Sequence, residues 1–353
     1  MKKYLLMFGL LSIGAYANNG KVIAEFQSLN GKAGEYVYNK PSDGMKMSQL
    51  DWDIKNIPML KLGYAYEYKN WEFSVTGRKN LDNNYRSGKM KDYDWIPSGM
   101  DEEDAQEFLV VGNFPEEQKE EVEANKKENE KIKDNGDGTY TLYYVPTEKD
   151  VGKLFSYTES KNYVKNIVGL DLTAKYYLKR NEKMAFAPLF GINYDKYEFY
   201  SIGAKGYEYI PGREKSAQES PNVKTITYNQ KFLSPYVGIY ASYSPNSLWD
   251  IEFGIKGSAW GRAKAMDRHH LRGKTQTDEK YKNIKYLSST LAVKYHWNES
   301  LTLKYEMELT KYFKNKKSTV KSTDEEGDVT TIKGSTGLSN RTMTSSLGFE
   351  YKF

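Results

Sequence analysis

The 353-residue sequence predicts an all-β chain, a ten-stranded antiparallel transmembrane β-barrel with long extracellular loops. Three observations predict it: two-residue alternation over long segments, 31 tyrosines within an aromatic content of 14%, and a closing run that stops on an aromatic. Alternation is the period of a strand, because successive side chains point to opposite faces. It is plain in Leu60-Lys61-Leu62-Gly63-Tyr64-Ala65-Tyr66-Glu67-Tyr68, in Trp249 to Lys256 and in Leu301 to Leu309, where Leu, Ile, Phe and Tyr occupy one face and Lys, Glu, Asp and Gly the other. Soluble sandwiches alternate too, but with strands of about 3 to 10 residues, whereas several segments here run to roughly 15 to 25. Tyrosine suits the two bilayer interfaces, where the ring lies at headgroup level and the hydroxyl reaches water. The end, Leu347-Gly348-Phe349-Glu350-Tyr351-Lys352-Phe353, matches the aromatic finish common in outer-membrane barrels.

The elements follow in chain order. Lys2 and Lys3, an apolar stretch from Tyr4 to about Ile13 and then Ala15-Tyr16-Ala17 read as a secretory signal peptide over 1–17, too short in its apolar part for an anchor of about 20 residues. Residues 18–353 then form one barrel with strands at about 22–38, 44–68, 70–84, 156–178, 184–209, 224–244, 248–265, 279–297, 300–316 and 336–353. Tight connections at Lys69-Asn70, Lys179 to Lys183, Ser244 to Ser247 and Asn298-Glu299 are periplasmic turns; the longer ones, including 85–155, 210–223, 266–278 and 317–335, face outward. An acidic insertion at about 101–150 interrupts the third connection. Its part from 101 to 133 holds twelve Asp or Glu and few aromatics, the composition of a mobile loop. Asp134-Asn135-Gly136-Asp137-Gly138 misses the EF-hand spacing and reads as a hairpin turn.

Composition narrows the chemistry. No cysteine is present, which removes disulfides, thiol nucleophiles and Cys-ligated zinc, and a formal net charge of +5 is too small to single out nucleic acid. Mean hydropathy is -0.77, as expected where lipid-facing and lumen-facing residues cancel.

Only three histidines are available. His296 falls near the periplasmic end of its strand and reads as a structural barrel histidine. Asp267-Arg268-His269-His270 stands at the outer end of the seventh strand, where Asp267 and His269, at i and i+2, share a side and His270 points away. A carboxylate beside an imidazole fixes its tautomer and raises its basicity, as a general base requires; a surface ion pair is the plainer reading. In Asp92-Tyr93-Asp94-Trp95, on the loop beyond the third strand, two carboxylates also share a side and can hold a water between them, or form an acidic turn. Asp92, Asp94, His269 and His270 could be combined as zinc ligands, but no run has metal-site spacing.

At these residues the chain resembles the omptin family of outer-membrane endopeptidases, ten-stranded barrels with an extracellular active-site groove. The resemblance is carried by Gly31 to Tyr38, Ser48-Gln49-Leu50-Asp51-Trp52, Met90-Lys91-Asp92-Tyr93-Asp94-Trp95, Ser234-Pro235-Tyr236-Val237-Gly238, and Ser258-Ala259-Trp260 followed by Asp267-Arg268-His269. It implies that Asp92 and Asp94 are the catalytic aspartate pair and that Asp267 and His269 are the dyad whose His activates a water, with no metal and no acyl-enzyme. It further implies substrate-binding roles for Glu35 and Met90 and a preference for basic residues. The family's second pocket acid falls on Ala265, so the preference is expected to be relaxed. Lipopolysaccharide is implied as an activator, bound through Lys196, Lys231 and Lys282 on the barrel's outside. Partners are then peptide or protein substrates, cationic by preference, and the outer membrane of a Gram-negative bacterium, with the active site outward. A catalytically silent barrel acting as adhesin or narrow porin is the competing reading.

Overall fold

The computed structural model describes residues 19–39, 44–271, 276–323 and 329–353; the signal peptide expected at 1–17 lies outside them. In chain order the strands are β1 (Gly20–Tyr38), β2 (Lys46–Tyr68), β3 (Trp71–Asn80), β4 (Tyr85–Trp95), β5 (Val110–Pro115), β6 (Glu130–Asp134), β7 (Thr139–Tyr144), β8 (Leu154–Tyr176), β9 (Lys179–Arg180), β10 (Met184–Glu208), β11 (Ser216–Asn246), β12 (Trp249–His269), β13 (Gln276–His296), β14 (Leu301–Asn315), β15 (Ser318–Thr323), β16 (Val329–Lys333) and β17 (Thr336–Lys352). β1 pairs with β2; β2 pairs with β3 and β4, which follow one another along a single stave. The antiparallel ladder continues through β8, β10, β11, β12, β13 and β14 to β17, which returns to β1. Ten staves therefore close a ring, the closed form that leaves no strand edge in lipid.

Both chain ends of the barrel lie with the tight turns: the Glu67 amide donates to Asn19 O (3.1 Å), and that of Phe353 to Gly20 O (3.1 Å). At the opposite end the staves run further than the sequence suggests. β11 begins at Ser216 rather than 224, and β15 with β16 forms a hairpin inside the expected loop 317–335. The third stave does not end at 84 but resumes as β4, so Asp92 and Asp94 lie on a strand and not on a loop. Two local interruptions, at 81–84 and at Gly88 (φ +73), break the alternation there without ending the pairing with β8. Ser87 and Asn162 repair the freed backbone, each donating to Asp53 O, at 2.9 and 2.7 Å.

Outward-facing Phe190, Ile192, Leu233, Val237, Ile251, Phe253, Leu287, Leu291, Leu309 and Leu347 are exposed and form an apolar belt. Above it the outward residues turn polar: Lys231 beyond Leu233, Arg262 and Lys264 beyond Trp260, Lys285 and Lys282 beyond Leu287. Inside the belt the lumen is filled by ion pairs. Arg78 meets Asp195 (2.8 Å) and Glu308 (3.2 Å), Lys61 meets Glu25 (3.1 Å) and Glu306 (3.0 Å), and Lys294 meets Glu252 (2.8 Å) and Glu350 (2.9 Å). Above them Trp52 stacks on Phe199 and Tyr228, both at 5.7 Å, and Phe232 on Tyr312 at 3.9 Å. This aromatic slab, fully buried, is the floor of the outer mouth.

The acidic insertion is folded, contrary to the mobile loop its composition suggests. β5, β7 and β6 form a three-stranded sheet with a core of Phe114, Tyr140 and Leu142, and two short helices, Glu102–Phe108 and Lys119–Asn125, flank it. Most of its acids are exposed, Glu130 being buried against Arg213 (2.6 Å), while Phe114, Tyr140 and Leu142 supply the apolar burial that holds the sheet. Asp134 to Thr139 is the expected hairpin turn, with the Asn135 amide donating to Thr139 O (3.0 Å) and positive φ at Gly136 and Gly138.

Candidate active site

One wall of the mouth is built from β2, β4 and β8. In β4 the residues Met90, Asp92 and Asp94 pair with Trp52, Leu50 and Ser48 of β2, and Trp52 and Leu50 are buried. Met90, 2% exposed, thus belongs to the aromatic floor, and the two aspartates rise above it on the same face. Ser48 Oγ donates to Asp92 Oδ1 at 3.4 Å. The row continues to β1, where Glu35 pairs with Leu50, so Glu35 and Asp92 are two strand spacings apart, about 10 Å.

The other wall is β11, β12 and β13. Along the lower part of β12 the odd-numbered residues Ile251 and Phe253 face lipid, and strict alternation would send Asp267 and His269 outward with them. A bulge between Ser258 and Gly261 reverses the phase, and Ala263, Ala265 and Asp267 are buried inside. Gly261 is required for it: a Cβ there would meet Ile284 O at 2.8 Å and Ser234 Oγ at 2.9 Å. Asp267 Oδ2 lies 2.7 Å from His269 Nε2, the pairing expected from the sequence. His270 is on the opposite side, its Nε2 2.8 Å from Thr227 Oγ1, with its pKa lowered by burial and by Lys224 and Arg268. His296 is satisfied at the periplasmic end by Asp250 (2.8 Å) and Thr302 (2.9 Å). Among the described residues no three acids or histidines converge as a metal site.

The two walls meet electrostatically at Glu35. Its carboxyl, 3% exposed and above the apolar belt, is held well above the usual carboxylate range by burial, then by the charges of Asp267, Glu279 and Asp92. Residues from both walls therefore act on one buried group. Glu279 is the member that sequence reasoning missed. It faces inward because the β13 ladder also changes phase, at Asn283 (φ +55), and it stands directly opposite Ala265 in the β12–β13 pairing. Alternation read through Asn283 would have placed it outside.

On the outer surface Lys196 pairs with Lys231, Lys231 with Lys264, and Lys264 with Lys280, a row of four lysines across β10 to β13. Lys282 pairs with Arg262 next to this row, on the side nearer the apolar belt. Lys196 also contacts Glu198 at 2.7 Å. The sequence reading named three of these cations; Lys264, Lys280 and Arg262 join them only through the strand register.

The sequence model of the omptin family matches residues 19–108 and 150–353, leaving out most of the folded insertion. Similar curated proteins include the plasminogen activator of Yersinia pestis, 25% identical over 334 residues (94% of this chain, 89% of the relative), and the outer membrane protease OmpP of Escherichia coli strain K12, 26% identical over 274 residues (76% and 70%). Among solved structures, the crystal structure of the outer membrane protease OmpT from Escherichia coli superposes with a TM-score of 0.76 at 18% identity, covering 96% of this chain and 98% of that one. With a family match over nearly the whole barrel and the same fold in OmpT, the chain belongs to the omptin family of outer-membrane proteases.

Proposed function

We propose that this protein is a surface endopeptidase that hydrolyses peptide bonds near basic residues, using a water activated by His269 and positioned by Asp92 and Asp94. The observation that carries the reading is the 2.7 Å contact between Asp267 and His269 on one wall of a mouth whose other wall carries the aspartate pair. Nε2 is engaged by Asp267, so Nδ1 is the base. It takes a proton from water as the oxygen attacks the carbonyl carbon, Asp267 stabilises the imidazolium, and the proton passes to the leaving amine as the C–N bond breaks. The lysine row supports a second part of the reading, that lipopolysaccharide phosphates dock on Lys196, Lys231 and Lys282 and activate the enzyme. A lysine keeps the charge that a phosphate needs, without the two-pronged geometry of arginine. The filled lumen and aromatic floor speak against a porin, and an adhesin needs no contact between a half-buried His269 and a buried Asp267.

The test is cleavage of a fluorogenic dibasic peptide, by intact cells and by purified protein with and without lipopolysaccharide. Cleavage is expected to depend on the lipid and to persist in EDTA and in serine-directed reagents. Complete loss in EDTA with recovery on adding zinc would replace the His-water reading with a metal one, and no cleavage by cells or lipid-loaded protein would leave a silent barrel.

The insertion is expected to gather cationic substrates rather than to take part in hydrolysis. Most of its acids are exposed, Glu130 and Asp150 excepted, and it follows the Asp94 end of β4 in the chain; its ends are adjacent, since the Tyr144 amide donates to Leu109 O at 3.0 Å. Replacing 110–143 by a short Gly-Ser link should slow cleavage of a long cationic peptide severalfold at low salt, with little effect on a short substrate with neutral flanks. The difference should fade as ionic strength approaches about 0.5 M. Equal losses on both substrates would mean that the insertion shapes the site.

A further inference from the structure

Ala265 is where the family pattern leads one to expect a pocket carboxylate, and the structure supplies a different one. Glu279 is the direct cross-strand partner of Ala265, so their Cα atoms are about 5 Å apart and a side chain from 279 can reach the space that the methyl group leaves. Its carboxyl is 2% exposed and accepts a hydrogen bond from Tyr281, whose hydroxyl is also 2.9 Å from Thr336 Oγ1. Glu35 lies within electrostatic reach of it, and Tyr228 feels both acids. Glu35 Oε2 is buried with the Trp52 indole as its one nearby donor, and the charged neighbours that act most strongly on Glu35 are all acids: Asp267, Glu279 and Asp92. Among the described residues neither Glu35 nor Glu279 has a cationic side chain in contact, an unfavourable arrangement for buried carboxyls. Their position beside Asp267, at the catalytic end of β12, makes sense if the compensating cation arrives with the substrate.

We propose that Glu279 is the second acid of the substrate pocket, binding with Glu35 the cationic side chain next to the scissile bond in place of the acid missing at position 265. The proposal rests on the endopeptidase reading and reverses the expectation that Ala265 relaxes the preference for basic residues. A guanidinium fits best, because it offers donors to two carboxyls at once.

A consequence for pH follows. Burial pushes the Glu279 carboxyl up to about 8, with Tyr281 and Thr336 opposing the rise and Asp267 and Asp278 adding to it; Glu35 is raised too. A bound cation favours the ionised forms, so binding releases protons, and KM for an Arg peptide should fall as pH rises toward about 8. A peptide with a neutral residue at that position should lack this trend.

The experiment measures kcat/KM for paired peptides that carry Arg or Gln before the scissile bond. Glu279→Gln is expected to reduce the Arg-to-Gln ratio by about tenfold or more, and Ala265→Asp combined with Glu279→Gln to restore much of it, since the carboxylate returns from the opposite strand. Heat-modified migration on gels reports whether each variant barrel is folded. An unchanged ratio in folded Glu279→Gln, or an equal fall on both peptides without recovery in the double variant, would overturn the proposal. If the parent protein cleaves neither peptide, or still cleaves as His269→Ala, the endopeptidase reading itself has failed, a result distinct from any change in the ratio.

Discussion

His269→Ala is expected to lower kcat/KM by about 10³-fold or more, whereas His270→Ala should stay within roughly threefold of the parent. The adjacent imidazoles face opposite sides of one strand. His269 contacts the buried Asp267 at 2.7 Å, while His270 binds Thr227 Oγ1 at 2.8 Å on the other side. Loss of the base removes the proton acceptor from the attacking water, and the same substitution takes from the buried Asp267, whose Oδ1 is already unpartnered, the imidazole that its Oδ2 contacts. The loss should therefore fall mainly on kcat, with KM little changed. The opposite ranking of the two histidines would mean that the ladder does not reverse phase at Gly261. Steady-state kinetics on one dibasic peptide, with each variant in the same lipopolysaccharide, decides it.

Asp92→Asn is the second large expected loss, about 10² to 10³-fold in kcat, with Asp92→Ala at least as severe. Asparagine keeps the size and still accepts from Ser48 Oγ, which lies 3.4 Å from Asp92 Oδ1, but it removes the negative charge that orients water and balances the imidazolium formed on His269. Removing that charge also relieves Glu35, on which Asp92 is one of the repelling neighbours, and favours its ionised form, so KM for a basic peptide should not rise with the loss in kcat. Activity close to the parent in a folded Asp92→Asn barrel would assign the aspartate a structural role in the wall and remove it from the mechanism.

Much of the fold was legible because lipid and lumen impose opposite chemistry on alternate residues. Leu301 to Leu309 shows this directly: Leu303, Tyr305 and Leu309 are exposed on the outer belt, and Lys304 and Glu306 are buried in lumen ion pairs. The Asp-His spacing was legible for the same reason, since residues two apart on a strand share a face whichever face it is. The insertion misled because a count of acids does not register where Phe114, Tyr140 and Leu142 meet.

The sequence by itself determined the barrel, its ten staves, the side of the short turns and the same-face pairs Asp92/Asp94 and Asp267/His269, because each follows from a local period or a local composition. Which face those pairs occupy was decided only in three dimensions. Bulges at Gly88, Gly261 and Asn283 shift the two-residue phase, and each exists because a neighbouring strand holds its register through the interruption. The same pairing set Glu279 opposite Ala265 and aligned Lys196, Lys231, Lys264 and Lys280 across four strands. Residues far apart in the chain became neighbours through hydrogen-bond register, which no period read along a single strand contains.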